Sequence, residues 1–559
     1  MNNKAIALTL LLAAASFGAA AQETLQKEVE VTRAYEPSVG DFFKLGLQPD
    51  LTDTAQMRPE FNYEITPRPL SYGFDIERIN PAKINTIENR RLFPYYVKAG
   101  VGYPLRSLLD FRMTRPLSPQ STLGVWLNHR GQYAKIRNDQ GVKAPSFQTF
   151  NSLGITAEKK FRRDWTLAGE AAYDFNNVTR YGYYTYGNPL PESFDTTRQG
   201  LGQFFHDVRG KIAFGNSFTD LSKFNFRVTA DVSYFADRFK YDQLEWRAGA
   251  EAAFGVGMDG RIRIDADYDA TNGLNNLDDY KNDVLTAGAV YGYDNGDFRF
   301  SLGADYVYEN ESDGSRSRLL PRFTVSKDLF EGRITPFAEV DGRVTKNDYR
   351  HLAGINPYIA SGATAPNTTQ YDARIGIRGT LGGGFKYKLY GGYSYAEDIC
   401  YFVNLYDYHS QGNTFGTLSD DLKIWTVGLE TEAKLWDALG VYVGAWYRSY
   451  DSEHYAEAGG MPEIEGNVGL TWNYRKKLYL DAHVTVIGER YFYQYRDYTD
   501  LEAVKASAMP DLHFQADYFF SERLGVFVHL GNLFNRDLYR FNRDKLLGIN
   551  AQAGVKLSF

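Results

Sequence analysis

Along much of this chain apolar and polar residues alternate one by one. In the last run Ile549, Ala551, Ala553, Val555, Leu557 and Phe559 share one parity, while Asn550, Gln552, Gly554, Lys556 and Ser558 share the other. Successive side chains of a strand point to opposite faces, so this run predicts a strand with one apolar face and one polar or small face. Phe224, Phe226, Val228, Ala230, Val232 and Tyr234 repeat the pattern against Asn225, Arg227, Thr229, Asp231 and Ser233. Ile262, Ile264, Ala266 and Tyr268 oppose Arg261, Arg263, Asp265, Asp267 and Asp269, and Leu478, Leu480, Ala482, Val484 and Val486 oppose Tyr479, Asp481, His483 and Thr485. The apolar rows carry aromatics toward their ends, as the girdles of membrane barrels do.

The breaks between runs alternate in length. Short ones fall at 116–120, 161–164, 257–260, 294–297, 381–384, 436–439, 474–477 and 521–524. Long ones fall at 133–147, 177–202, 272–280, 346–369, 398–420, 451–460 and 491–510. Outer-membrane barrels have short periplasmic turns and long external loops, so the rhythm assigns sides as well as strands. The prediction is all-β: a transmembrane antiparallel β-barrel of about 22 strands over residues 93–559. Segment 399–408 is taken as loop, which keeps the count even and both ends periplasmic. Residues 22–92 contain Pro37, Pro49, Pro59, Pro67, Pro69 and Pro81 and little sustained alternation. They predict a mostly irregular, extended segment in the periplasm or the lumen.

Composition adds location. Residues 1–21 place Lys4 before an apolar core and end on Ala19, Ala20 and Ala21, the pattern of an export signal cut before Gln22. Beyond it no apolar run reaches the length of about 18 residues that would stop an exported chain in a membrane as a helix. The mean hydropathy of -0.43 fits a barrel, because lumen-facing polar residues dilute the lipid-facing apolar ones. Aromatic residues make up 15% of the chain, which suits the girdles. The formal charge of -7, with no basic block, argues against a nucleic-acid partner. Cys400 is the single cysteine, read as a free thiol in a loop.

Little catalytic chemistry is legible. The eight histidines are scattered, without the spacing of a metal site, and there is no phosphate-binding loop, dinucleotide fingerprint or nucleophile elbow. The chain is read as a non-enzyme needing no cofactor or metal. The long breaks hold aromatic clusters, among them Tyr183 and Tyr184, Tyr406, and Tyr493. Flat rings with a polar handle suit sugars or other amphipathic ligands. The same rings also suit an outer girdle on strands that continue above the membrane. Inward charges such as Arg227, Asp231, Arg263, Asp265 and Asp267 either hold a lumen filler or pair with one another.

The end of the chain, GNLFNRDLYRFN followed by a strand closing on Phe559, resembles the C-terminus of TonB-dependent outer-membrane receptors. The matching positions are Asn532, Leu533, Phe534, Asn535 and Arg536, with Tyr539 one residue late, and Phe559 resembles the terminal signal read by the barrel assembly machinery. Glu28, Val29, Glu30, Val31 and Thr32 resemble a TonB box, which adds a strand to a TonB sheet through main-chain hydrogen bonds. The resemblance implies a Gram-negative outer-membrane location, contact with outer-membrane lipid, and solute uptake. The segment 22–92, about 70 residues, is too short for the family's globular plug, which implies a plugless or truncated relative of Bacteroidota type. A non-transporting scaffold for an envelope complex is the alternative.

Overall fold

The structure is a computed structural model. It describes residues 93–559 apart from 139–140, 162–163, 184–189, 191–193, 217, 219–222, 407–410, 437 and 497–499. The export signal, the extended segment 22–92, the run Glu28–Thr32 and Tyr184 therefore lie outside the described residues.

The alternating runs form 24 strands of a single sheet, from Tyr95–Tyr103 to Asn550–Ser558. Two of them, Arg490–Tyr495 and Leu501–Ala506, form a hairpin beside the wall, because Leu478–Ile487 bonds directly to Met509–Phe519. The other 22 each pair antiparallel with their chain neighbours, and the first pairs with the last, from Tyr96 opposite Ser558 to Tyr103 opposite Ala551. The result is a closed barrel of the predicted size. At its seam Tyr95 and Phe559 exchange two backbone hydrogen bonds of 3.0 Å and stack their rings at 5.2 Å.

The seam lies at the end with the short connections, such as 119–120, 257–259, 382–384 and 475–477. The opposite end carries the long ones, including 180–201, 346–367, 453–463 and 532–549. One expectation is corrected. Segment 399–408 is not a loop: the strand Phe385–Leu405 runs through most of it, pairing Ile399–Leu405 with Thr414–Asp420 beyond a bulge at Ala396/Ile399. The strand count survives because the extension lengthens a strand without adding one. Cys400 is accordingly a buried strand residue. The expected long loop 491–510 likewise contains most of the hairpin.

The two faces separate as the alternation requires. Val228, Val232, Ile264, Leu302, Ile375 and Val427 are exposed on the outward face, which forms an apolar belt. Inward charges pair across neighbouring strands. Lys211 meets Asp231 at 3.5 Å, Arg247 meets Asp267 at 2.8 Å, and Arg263 meets Glu251 at 3.0 Å. Arg322 bridges Asp265 and Asp305 at 2.9 and 2.8 Å. Arg227 instead places its guanidinium 5.4 Å from the Phe218 ring.

One inward row explains several glycines. Along the register Phe337, Gly376, Tyr390, Gly428 and Trp446 are successive neighbours. The three aromatic residues are buried and in contact, their rings lying over the glycines between them. A Cβ at Gly428 would sit 2.5 Å from the Tyr390 ring, so the packing needs glycine there.

The belt gives a direct test. Ile375 is 70% exposed on the outward face, so Ile375→Arg is expected to cost about 2–4 kcal/mol of folding free energy in lipid vesicles. Lys211→Gln, removing an open inward pair, should cost less than about 1 kcal/mol. Urea unfolding followed by tryptophan fluorescence measures both.

Candidate functional site: a mouth closed by its own loops

At the long-loop end the wall strands outlast the belt, and three connections fold inward between them. The first, 346–367, carries the short helix Tyr349–Ile355. Asp348 caps that helix by accepting from the His351 amide at 2.8 Å. The flanking polar residues grip the wall. Tyr349 Oη donates to Asp237 at 2.7 Å, Arg350 reaches Glu245 at 2.7 Å and Asp207 at 3.1 Å, and Lys346 Nζ reaches Asp269 and Thr271 at 2.6 Å each. Four strands are tied to one segment in this way.

The second and third connections, 180–201 and 532–549, meet the first. Tyr181 Oη donates to the Asp544 carboxylate and, at 2.8 Å, to the Lys545 carbonyl. Arg180 donates to the Ile359 carbonyl at 2.7 Å, and Arg540 donates to the Ile355 carbonyl at 2.8 Å. Gln148, from the wall, donates to Tyr358 Oη at 2.5 Å, and Asn413 donates to the Arg180 carbonyl at 2.9 Å. Arg180, Tyr181, Tyr358, Arg540 and Asp544 therefore make one polar hub where three loops and the wall converge.

Around the hub the cap is aromatic. Tyr181 and Tyr358 meet edge to face at 6.0 Å, Phe205 stacks on Phe235 at 5.6 Å, and Phe541 packs edge-on to Phe402 at 5.6 Å. Such edge-to-face and offset pairs add stabilisation beyond the area they bury. Leu352, Ile359, Phe415 and Cys400 belong to the same buried cluster.

Burial sets the electrostatics. It pushes the Asp544 carboxyl above its ordinary value, while the Tyr181 hydroxyl and the Arg540 charge pull it back. It also raises the Tyr181 phenol well above its ordinary value, with the Asp544 charge adding to the effect. In both groups burial disfavours the charged form.

The residues singled out in the sequence fall into this arrangement as follows. Tyr183 is buried in the cap and packs on Phe194 at 5.6 Å. Tyr493 is buried in a second cluster with Tyr401 and Tyr455, and its hydroxyl donates to the Glu457 carbonyl at 2.7 Å. Tyr406 is half-buried just beyond the strand Phe385–Leu405. Tyr183 and Tyr493 are thus drawn inward, and the Tyr401 hydroxyl beside Tyr493 is buried without a hydrogen-bond partner.

The C-terminal motif has a local rationale. Asn532 and Asn535 adopt left-handed backbone, φ 48° and 50°, which asparagine tolerates. Asn532 Nδ2 donates to the Arg536 and Leu547 carbonyls at 2.8 and 3.0 Å, and its Oδ1 accepts from the Arg536 amide at 3.0 Å. Leu533 bonds the Leu512 carbonyl at 3.0 Å, and Phe534 is exposed. The turn so formed aims Tyr539 to Asp544 into the mouth. Arg490 donates to the Tyr539 carbonyl, and Arg543 reaches Gln494 at 2.6 Å. Arg540 lies within GNLFNRDLYRFN at a position the resemblance does not use, and Arg180, Tyr358 and Asp544 carried no motif; their long sequence separations hid them. Among the described residues no group of histidines, cysteines and acids is arranged to hold a metal.

No family model matches the chain, and no curated protein matches it by sequence. Solved structures do match its fold. The FrpB iron transporter from Neisseria meningitidis aligns at a TM-score of 0.64 and 13% identity, covering 84% of this chain and 82% of that one. The ferripyoverdine receptor of the outer membrane of Pseudomonas aeruginosa aligns at 0.63 and 11%, covering 84% and 72%. The copper transporter OprC aligns at 0.61 and 13%, covering 84% and 82%. The likeness is one of fold: the 22-strand barrel of the TonB-dependent receptors.

The hub predicts a pH dependence. A carboxyl whose folded pKa lies above its unfolded value of about 3.9 stabilises the cap fully below that value, and this contribution is lost as pH rises through the raised folded pKa. Hydrogen exchange of the cap amides should therefore speed up with rising pH beyond its intrinsic trend. Asp544→Asn should remove that excess, and Tyr181→Phe should weaken the cap by about 1–3 kcal/mol.

Proposed function

We propose that this protein is an outer-membrane barrel of transport type whose external mouth is shut by its own loops. The interlocked hub at Arg180, Tyr181, Tyr358, Arg540 and Asp544 carries the reading. A 22-strand ring encloses a lumen of the width that transporters plug, and left open it would breach a membrane. On that reading the closure comes from 346–367, 532–549 and the described residues of 180–201. In this reading the long-loop end faces outward and the seam at Phe559 faces the periplasm, where the assembly machinery reads it. The iron and copper transporters that share the fold support uptake of a solute.

Energised uptake would work through residues 28–32, with Glu28, Val29, Glu30, Val31 and Thr32 adding a strand to TonB in the periplasm after the export signal is removed. A solute loosening the cap would meet Tyr183, Tyr184, Tyr406 and Tyr493. The alternative is a scaffold for an envelope complex, and the observation favouring it is the number of hydrogen bonds that close the mouth.

Conductance and growth separate the readings. The native barrel in planar bilayers is expected to stay closed, and replacing 346–367 by a short Gly-Ser linker should raise single-channel conductance and cell uptake of a bulky antibiotic at least about tenfold. Deletion should impair growth on one limiting solute, and Val29→Pro with Val31→Pro should reproduce that loss. An open native pore would overturn the closed-mouth reading. Growth unaffected on every solute, with a stable co-purifying complex, would favour the scaffold.

A further inference from the structure

The wall is not paired evenly. Phe298–Glu311 and Gly314–Lys327 pair along their whole lengths, and Thr335–Thr345 pairs throughout with the strand Thr368–Leu381. Between Gly314–Lys327 and Thr335–Thr345, however, register partners run only from Arg322 opposite Asp341 to Ser326 opposite Phe337. Pro321 is the first residue beyond this ladder, and it has no N–H to donate. Continuing the register would set Gly342 against it, where a Cβ would sit 2.8 Å from Leu320 Cβ and 3.1 Å from Pro321 Cδ. Glycine gives the two strands room to cross.

Beyond the crossing the two edges overlap. Leu320, Arg318 and Arg316 share the parity of Arg322, which faces the lumen, whereas Val344 and Tyr371 have the outward parity. Leu320 and Val307 are nonetheless buried against Val344 and Tyr371 in one apolar cluster. Arg318 pairs with Glu309 at 3.0 Å and also with Glu397, which stands opposite Thr369 and has the outward parity. Arg316 pairs with Asp398. The inner side of one edge therefore rests on the outer side of the next, as one slat laps another. Leu319 and Ser317 stand opposite the exposed, outward Tyr306 and Tyr308. Pro321 stands opposite Ala304, midway between those tyrosines and the contacting rings of Phe298 and Phe300 toward the short-connection end. The lap thus occupies the half of the belt nearer the mouth. Asn367, ending the cap connection 346–367, donates to Glu309 at 3.0 Å, so cap and lap share a tie.

We propose that this lap is a lateral door between the lumen and the outer leaflet, serving a single-tailed amphipath with an anionic head. The cap shuts the axial route, whereas the lap is held by side chains in place of a ladder, so parting it breaks no run of backbone hydrogen bonds. The parted lips offer Val307, Leu320 and Val344 to a hydrocarbon tail, and Arg316 and Arg318 to the head. The backbone groups on the unpaired edge of Gly314–Pro321 cannot stay bare in hydrocarbon, so the door recloses once the tail has passed. Loosening the cap frees the Asn367 tie and with it the Glu309 side of the lap. The proposal rests on the transport reading, and it supplies that reading with a substrate class and a route.

The test uses the full-length protein in lipid vesicles with a dodecanoate carrying a photoreactive diazirine in its tail, and mass spectrometry locates the adducts. They are expected on Val307 and Tyr371, which the shut lap covers. Their yield follows the population of the open lap. In Leu320→Cys with Val344→Cys, on a Cys400→Ala background, oxidation should therefore lower it at least about tenfold and reductant restore it. Glu397→Gln with Asp398→Asn releases the far lip and leaves both arginines, and it should raise the yield at least about threefold. Heat-modifiable gel migration reports that each variant folds. Equal yields in the oxidised and reduced forms overturn the proposal. So does an unchanged yield in the Glu397 and Asp398 variant, or equal labelling by the matching dodecanol, which lacks the charge. The transport reading fails separately, on an open native pore. If the barrel with 346–367 replaced conducts while Val307 and Tyr371 stay unlabelled, the transport-type barrel stands and the lateral door falls.

Discussion

The pairing of the first strand with the last governs the rest of this molecule. Eight register partners join Tyr96–Tyr103 to Ser558–Ala551, and the Tyr95 and Phe559 backbones complete the row. A sheet with an apolar outward face has no water there to satisfy an open edge, so each strand must find two neighbours. Closure meets that demand for the whole wall at once. It also fixes the circumference at 22 strands, and the circumference fixes the lumen.

A wide lumen is the cost of that solution, and the inward face deals with it in two ways. Along the wall, charges neutralise each other in lateral pairs such as Arg322 with Asp265 and Asp305. Half-open pairs of this kind contribute little stability, and their value lies in keeping the face polar without leaving charge unmatched. At the mouth, loops enter and bury aromatic surface. The cap's polar hub is then the vulnerable point, since its carboxylate and phenol lie away from water and depend on each other. A seal built from loops is tied to strands on several sides, as Lys346, Tyr349 and Arg350 show, so loosening one tie bears on the others.

The outward face has its own vertical order, and on the sector of Ser121–Lys160 that order is visible in a few residues. Apolar rows give way to the hydrogen-bonded pair His129 and Asn151, then to the rings of Tyr133 and Phe147, with Lys135, Arg137 and Lys143 exposed above them. The inward row of Phe337, Tyr390 and Trp446 over Gly376 and Gly428 shows the same logic of paired size across strands. In both cases the unit of design is the lateral row, made by register, and not the strand.

How much of this was legible in the sequence depends on whether a residue's surroundings differ on its two sides. Where one face met an apolar medium and the other the lumen, the period of two appeared, and strands, sides and an approximate count followed from residues such as Val228 against Asp231. Segment 399–408 escaped for the complementary reason: Ile399, Cys400, Tyr401, Phe402 and Val403 are all buried, and a strand covered on both faces loses its alternation. Asn532 and Asn535 of GNLFN suit left-handed turn backbone, but nothing local says where that turn points. The hub was out of reach, because Tyr181 shows in the sequence only as one of a run of loop tyrosines and nothing local pairs it with Asp544, 363 residues away. By itself the sequence determined the barrel, since local periodicity and turn length encode it. Only the tertiary structure decided how the barrel is closed, since closure joins residues whose proximity exists only after the sheet has wrapped around on itself.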